Sequence, residues 1–485
     1  MFSHLMQLQL PFLIFVFMKL DYSEPELEIF KKLSAASQKL GVESYIIGGF
    51  VRDKVLGRST KDIDVVCVGD GIALAQEAAK QFGKSVPVNV FKTYGTAQIK
   101  FDETDIEFVG SRKESYHADS RNPSVEAGTL QDDLLRRDFT INALGISLNK
   151  NDFGFVNDPF DGLGDIERKL IKTPLEPEKT FIDDPLRMMR AIRFAAQLQF
   201  NIEEKTLKAI TANAHRITII TKERITEELN KILLSKKPSV GFELLYITGL
   251  LQIIFPQMVA LAGAEFVDGY GHKDNFYHTL QVVDNIANTT DDLWLRWAAV
   301  LHDIAKPVTK KMEEGHGWTF HGHEAVGGRM VPKIFTQLKL PQNEKMKFVR
   351  KMIEMHLRPI SLTKENITDA AIRRLLFDAG EDIDSLMKLC DADITSKNKQ
   401  KVKRFLENFA LVRKRCIEVE ERDNLRNWQP PITGEIIMET FSLKPSKEVG
   451  IIKDAIRNAI LDGEITSDFE AAHAFMLLKG KEILN

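Results

Sequence analysis

The pair Asp62 and Asp64, one residue apart on a short apolar run and preceded by a Gly48-Gly49 turn, constrains this chain most. Alternate side chains of a strand share a face, so a strand over Ile63–Val68 brings both carboxylates together. Ile63 and Val65-Val66 keep the strand apolar elsewhere. Two carboxylates on one face can hold divalent ions that activate an attacking hydroxyl and stabilise a leaving pyrophosphate. Taken alone, the same pair also suits a solvated strand face. Glu107, in a second apolar run, is a further candidate ligand.

Around this pair the pattern predicts an α/β head. Leu27, Phe30, Leu33 and Leu40 recur at helical spacing over Glu24–Leu40. Tyr45-Ile46-Ile47 reads as a buried strand that runs into Gly48-Gly49 and a helix over Phe50–Leu56. A helix over Ala73–Phe82 follows, then strands over Ser85–Val90, Ala97–Phe101 and Ile106–Val109. Glycines between a strand and a helix let backbone N–H groups approach phosphate oxygens.

Arg136-Arg137-Asp138-Phe139-Thr140-Ile141-Asn142-Ala143 sets two arginines beside an acid and an amide, and forked guanidinium donors suit triphosphate oxygens. Asp183-Asp184-Pro185-Leu186-Arg187-Met188-Met189-Arg190 predicts a helix start with Asp184 as N-cap and Pro185 in the first turn. Asp184 and Arg187 share a face. An acceptor beside a forked donor can read a base edge, although a capping aspartate is the commoner reading of such a pair. From Phe181 onward the pattern is almost wholly helical.

Gly48–Asp53, Asp62/Asp64, Arg136–Ala143, Asp158-Pro159-Phe160-Asp161-Gly162, Asp183–Phe194 and Glu223–Leu229 occur in the order of the class II tRNA nucleotidyltransferases and bacterial poly(A) polymerases, which the chain resembles over Tyr45–Leu234. The resemblance implies that Asp62 and Asp64 are catalytic and hold Mg²⁺; Glu107 stays a candidate further ligand on its strand position alone. It implies nucleotide contacts at Gly48, Gly49, Arg52, Arg112, Arg137, Asp138, Asn142, Asp184, Arg187 and Arg190. Asp183 departs from the family, which more often has glutamate there. Ser111–Asp132, with Arg112, Glu114 and Tyr116, resembles the family's mobile loop.

A second constellation follows. His302-Asp303 lies in an apolar stretch over Leu293–Ala305, and a buried ionised aspartate is costly unless paired or metal-bound. His278, His323, His356 and Asp391 are spaced to join it. The order resembles the HD phosphohydrolases, which implies core ligands His278, His302, Asp303 and Asp391, with His323 and His356 as auxiliaries. Mixed histidine and carboxylate ligands suit Mn, Ni, Mg or Fe. His272, His316 and His321 read as ordinary histidines.

A net charge of −3 excludes binding of nucleic acid by bulk electrostatics, so RNA contacts must come from local patches. Lys397, Lys399, Lys401, Lys403, Arg404, Arg413, Lys414 and Arg415 form one such stretch, which also reads as a solvated face. Three scattered cysteines fit a reducing cytoplasm. Leu8–Phe17 is apolar but short for a membrane span and holds Pro11; Met18 opens an ordinary soluble start, with a signal or anchor segment as the alternative. The predicted organisation is a poorly ordered or non-native extension (1–20), a mixed-sheet nucleotidyltransferase head (21–172), a helical base-selecting neck (173–262), an HD helical domain (263–400) and a helical RNA-contacting tail (401–485). The implied function is CCA addition to the tRNA 3′ end from CTP and ATP, with no membrane partner. Poly(A) synthesis, CC- or A-addition alone, and HD phosphohydrolysis are the rivals.

Overall fold

The computed structural model describes residues 18–83, 86–117, 120–264, 266–267, 270–271, 274–362, 367–396, 398–423, 425 and 428–484. The readings made for residues 1–17, His272 and Lys397 lie outside these. Residues 18–20, expected to belong to a loose extension, instead lie along the chain's first sheet. Lys19 bridges Phe155, and the Val156 N–H donates to the Met18 carbonyl at 2.9 Å. The chain divides into two compact units, Met1–Phe255 and Pro256–Asn485.

The first unit opens with α1 (Glu24–Leu40), started by a reciprocal capping box between Ser23 and Glu26 and ended by Gly41 in the left-handed conformation. There follow β1 (Ser44–Ile47), α2 (Gly49–Val55), β2 (Asp62–Cys67), α3 (Gly71–Phe82), β3 (Val88–Phe91), β4 (Thr96–Phe101) and β5 (Thr104–Gly110). The segment expected as a loop over Ser111–Asp132 is largely a hairpin, β6 (Arg112–His117) and β7 (Ser120–Ala127), before α4 (Leu130–Leu135). Then come β8 (Gly145–Ser147), β9 (Val156–Asn157), α5 (Gly162–Glu167) and β10 (Leu170–Ile171). Seven strands form one mixed sheet in the order β3-β4-β5-β2-β1-β8-β9, with β2 and β5 its parallel pair. That pairing sets Asp64 level with Glu107.

The neck is welded to this head. It comprises α6 (Pro177–Asp183), α7 (Leu186–Leu198), β11 (Asn201–Ile202), α8 (Glu204–Asn213), α9 (Lys222–Leu233), α10 (Pro238–Ile247) and α11 (Leu250–Ile254). β10 pairs in parallel with β11, and Arg190 of α7 donates to the buried Asp138 of the head. Head and neck, expected as separate domains, therefore share one compact unit.

The second unit holds α12 (Pro256–Val259), a two-residue pairing of β12 (Phe266–Val267) with β13 (Tyr270–Gly271), α13 (Asn275–Ala287), α14 (Leu293–Leu301) and α15 (Lys306–Thr309). A short hairpin follows, β14 (Lys311–Glu313) and β15 (Gly317–Thr319). Such brief pairings interrupt the expected helical run because they are too short to carry a readable period. Then come α16 (His323–Gln337), α17 (Glu344–Met355), α18 (Arg358–Ser361), α19 (Asp369–Ala379), α20 (Ile383–Ala392), α21 (Lys399–Asp423), α22 (Gly434–Phe441), α23 (Lys447–Asp462) and α24 (Phe469–Leu484). The last three share their own core around Ile437, Ile452, Ile456 and Met476. Among the described residues, no helix is long and apolar enough to cross a membrane.

Candidate active site and candidate metal centre

In the head, Gly48 joins β1 to α2 with φ +76°, a left-handed conformation that favours glycine. A Cβ there would lie 2.9 Å from Arg137 Nη1 and 3.5 Å from Asp64 Oδ2. The turn thus brings Asp64 and Arg137 to one spot. Asp62 is exposed at the start of β2, Asp64 is half-buried, and Ile63 between them is in the core. Burial pushes the Asp64 carboxyl up from its ordinary value; the Arg137 guanidinium opposes this and Asp62 reinforces it. Burial also raises Glu107, and the charge of Asp64 adds to the rise. Neighbouring acids that resist ionisation together are sites where a cation is favoured.

Beneath this spot runs a buried polar network. Arg52 donates to Asn142 Oδ1 at 2.7 Å and pairs with Asp53, while its guanidinium lies 4.9 Å from the Phe194 ring centre. Asn142 donates to Asp138 at 3.0 Å, and Arg190 holds the other Asp138 oxygen at 2.7 Å. Burial alone would raise Asp138; Arg190 and Asn142 overcome it and hold the carboxyl down at about 2. Arg52, Asp138, Asn142 and Arg190, predicted as nucleotide contacts, are therefore engaged with one another.

Asp184, expected as the N-cap, is instead the residue that closes α6, and Pro185 is the N-cap of α7; the Asp184 carboxylate still accepts the Leu186 N–H at 3.0 Å, and Asp183 ends α6 rather than opening α7. Arg187 lies one turn on from Asp184, its backbone N–H donating to the Asp184 carbonyl at 3.0 Å, while its guanidinium donates to the Arg136 carbonyl at 2.7 Å. Arg112 is half-buried on β6 and its charge lowers Glu107 slightly. Sequence reasoning missed Asp133, fully buried and clasping both Arg136 and Arg137. Its spacing of three and four from those arginines was the available signal. It also missed the Arg193–Glu228 pair at 2.8 Å.

In the second unit, His278, His302 and Asp303 bring ligand atoms together, and so do Asp303, His323 and His356. Asp303 belongs to both groups. Its Oδ2 lies 3.4 Å from His278 Nε2 and 3.2 Å from His302 Nε2, and its Oδ1 lies 3.2 Å from His323 Nε2. Each Nδ1 has another partner: His278 meets Thr395 Oγ1, His302 the Ala299 carbonyl, His323 the Phe320 carbonyl and His356 the Ile353 carbonyl. A proton on Nδ1 facing a carbonyl leaves the Nε2 lone pair for a metal.

Asp391, predicted as the distal ligand, is elsewhere: it pairs with Arg413 of α21. Asp393 takes its place, 3.0 Å from His278 Nε2 and 3.5 Å from His302 Nε2. Successive helical residues turn by about 100°. Cys390 faces the His356 carbonyl, so Asp391 swings away while Asp393, three positions on, returns to the Cys390 side. Burial opposes every charge here, yet Asp303 and Asp393 are both held below the carboxylate range by their histidine partners. Against its own burial, His302 is raised to about 10 by Asp303 and Asp393, while burial and His302 push His356 down to about 4. Such a cluster demands positive charge, and the donor set fits a divalent cation. Lys306 donates to Asp303 Oδ2 at 2.5 Å. A cavity of about 400 Å³ opens beside it, lined by His278, Lys306, Asp393, Lys401 and Phe405.

A parallel-paired acidic strand under a glycine turn, an arginine-braced helical neck and a histidine–aspartate cluster define a nucleotidyltransferase head and an HD domain. Residues 44–172 match the "Poly A polymerase head domain", 199–261 the "Probable RNA and SrmB-binding site of polymerase A", and 275–398 the "HD domain". The multifunctional CCA protein of Shewanella frigidimarina is 32% identical over 310 residues, 61% of this chain and 70% of that protein. The CCA-adding enzyme of Lactobacillus delbrueckii subsp. bulgaricus is 39% identical over 288 residues, covering 58% and 66%. The A-adding tRNA nucleotidyltransferase of Aquifex aeolicus is 43% identical over 169 residues, 35% of this chain but 20% of its own length. A CCA-adding enzyme solved with ATP shares the fold (TM-score 0.62, 21% identity, 96% of this chain and 97% of that one). So does a tRNA nucleotidyltransferase solved with a primer tRNA and an ATP analogue (TM-score 0.56, 24% identity, 79% and 99%). The chain belongs to the tRNA nucleotidyltransferase and poly(A) polymerase family, and it carries an HD domain in its second unit.

Proposed function

We propose that the chain is a CCA-adding enzyme, which transfers CMP and AMP from CTP and ATP to the 3′ end of tRNA. The observation that carries this is the meeting of Asp64 and Arg137 at the Gly48 turn, with Glu107 level with Asp64 on the paired strand, in a chain whose relatives include a multifunctional CCA protein and a CCA-adding enzyme. The 3′ hydroxyl attacks the α-phosphorus, one P–O bond forms, the bond to the β-phosphate oxygen breaks, and pyrophosphate leaves. Asp62 and Asp64, with Glu107 in support, would hold Mg²⁺, which would supply Lewis-acid charge for that displacement. Mg²⁺ is usually bound through one or two carboxylates plus substrate phosphates, which suits this sparse donor set. Arg137 faces the triphosphate, Arg112 lines the approach, and Gly48 and Gly49 let the backbone come close. Arg52, Asp138, Asn142 and Arg190 brace that surface from below, while Asp184 and Arg187 read the base. The reading puts the chain in a reducing cytoplasm, in keeping with its three buried cysteines, which form no disulfide.

The test is a tRNA lacking its 3′ CCA, Mg²⁺, and CTP and ATP singly and together. Two C then one A, abolished by Asp62→Ala, is the expected product. A long A tract would instead mean a poly(A) polymerase, and no extension would overturn the reading.

The HD cluster supports a second activity, metal-dependent phosphohydrolysis, because Asp303 is shared by two ligand groups beside an open cavity. Mn, Ni, Mg and Fe all suit its donors. Phosphatase assays with each ion test it, and activity unchanged in Asp303→Ala would sink it.

A further inference from the structure

We propose that the cavity between α18, α19 and α23 is a subsite for a backbone phosphate of the RNA substrate. The proposal rests on the tRNA reading above. The cavity measures about 330 Å³, room for one phosphate and its sugar. Arg358, Arg374 and Arg457 enter it from three different helices, and Asp378 is the one acid on its wall. Each arginine is tethered by one terminal nitrogen: Arg358 to Asp378, Arg374 to Asp462 and Arg457 to Asp454. The other N–H groups of these forks make no hydrogen bond among the described residues. A guanidinium held by one nitrogen keeps its orientation and presents its remaining donors, the geometry that suits phosphate oxygens. The Ser361 hydroxyl and Asn458 amide add polar groups, and Leu375 and Leu461 give an apolar wall for a sugar.

The charge distribution points the same way. With a net charge of −3 the chain has no bulk attraction for RNA, so a grip must be local. The basic stretch over residues 397–415 supplies less than its composition suggests. Arg415 engages both terminal nitrogens, with Asp369 and Glu418, Arg413 turns one to Asp391 and the Met387 carbonyl, and Lys401 lines the HD cavity. Convergence of three arginines from distant positions on one cavity is the stronger local feature.

The experiment measures binding of tRNA lacking CCA to the full chain by fluorescence anisotropy, without nucleotide, over a series of salt concentrations. Arg374→Gln/Arg457→Gln removes two forks. Asn458→Asp adds a carboxylate at an exposed position while leaving all three ion pairs in place, which guards against misfolding. Both are expected to weaken binding about tenfold, with the double variant flattening the salt dependence by about 1 to 2 in slope. The KM for CTP stays unchanged. Wild-type affinity and slope in Asn458→Asp would overturn the subsite while leaving the tRNA reading intact. A wild-type chain that binds no tRNA would overturn that reading, and the subsite with it. Binding of ATP or inorganic phosphate that Asn458→Asp abolishes, with tRNA binding unaffected, would assign the cavity to a free anion and refute the proposal.

Discussion

His323 and His356 point their Nε2 atoms at each other across 3.3 Å, although the Nδ1 of each already faces a backbone carbonyl. With both Nδ1 atoms protonated, two lone pairs confront one another in a buried site, and a divalent cation resolves the conflict. Stripping the protein with a chelator is therefore expected to lower the melting temperature seen by calorimetry. Restoring Mn²⁺ at about a hundred times its Kd should return about 2–3 kcal/mol. A melting curve indifferent to chelation and to added ions would remove the metal centre.

Asp391 and Asp393 make a matched pair of controls. Asp393→Asn should weaken ion binding at the HD cluster by roughly 10-fold or more, as measured by calorimetric titration. Asp391→Asn should leave it unchanged and cost at most about 1 kcal/mol, since it loses only a partly exposed ion pair with Arg413. The reverse ranking would restore Asp391 as the ligand.

Asp64→Asn should abolish nucleotide addition, by about 1,000-fold or more, without destabilising the fold. Its charge is disfavoured by burial, so the neutral amide is expected to leave the melting temperature equal or higher. Primer-extension rates and thermal melts on the same preparation check both halves.

Asp138 links stability to acid. Its folded pKa is depressed to about 2 by Arg190 and Asn142 despite burial, from an ordinary value of 3.8. A depressed carboxyl stabilises above its unfolded pKa, and that contribution fades as pH falls through the folded value. The window is therefore pH 4 down to about 2, worth on the order of 2 kcal/mol. Denaturant titrations should show a shallower acid limb in Asp138→Asn than in the wild type.

Gly48→Ala should slow nucleotide addition by roughly 10- to 100-fold and cost about 1–2 kcal/mol. The new Cβ would be strained at positive φ and would press on Arg137. If kcat were unchanged and only stability fell, the turn would be scaffolding rather than part of the site.

Much of the head was legible beforehand. α1 runs over the predicted Glu24–Leu40, and β2, α3, β4 and β5 lie within a few residues of their predicted bounds, because apolar periodicity and capping are local. The family motifs also gave the order of the site segments. The fate of each charge was not legible. Arg52, Asn142, Asp138 and Arg190 bond to one another across ninety and fifty-two positions of sequence. Spacing within a segment says nothing about such partners.

The sequence alone determined the two chemistries: acids alternating on a strand after a glycine turn, and histidines gathered around His302-Asp303. Tertiary structure alone decided that Asp64 stands level with Glu107, since parallel pairing of β2 with β5 sets that register. It decided that Asp393 and not Asp391 stands beside His278 and His302, because the turn of α20 selects which carboxylate faces inward. And it brought Arg358, Arg374 and Arg457 to one cavity, since burial of apolar faces, not the position of charges along the chain, fixes where helices meet.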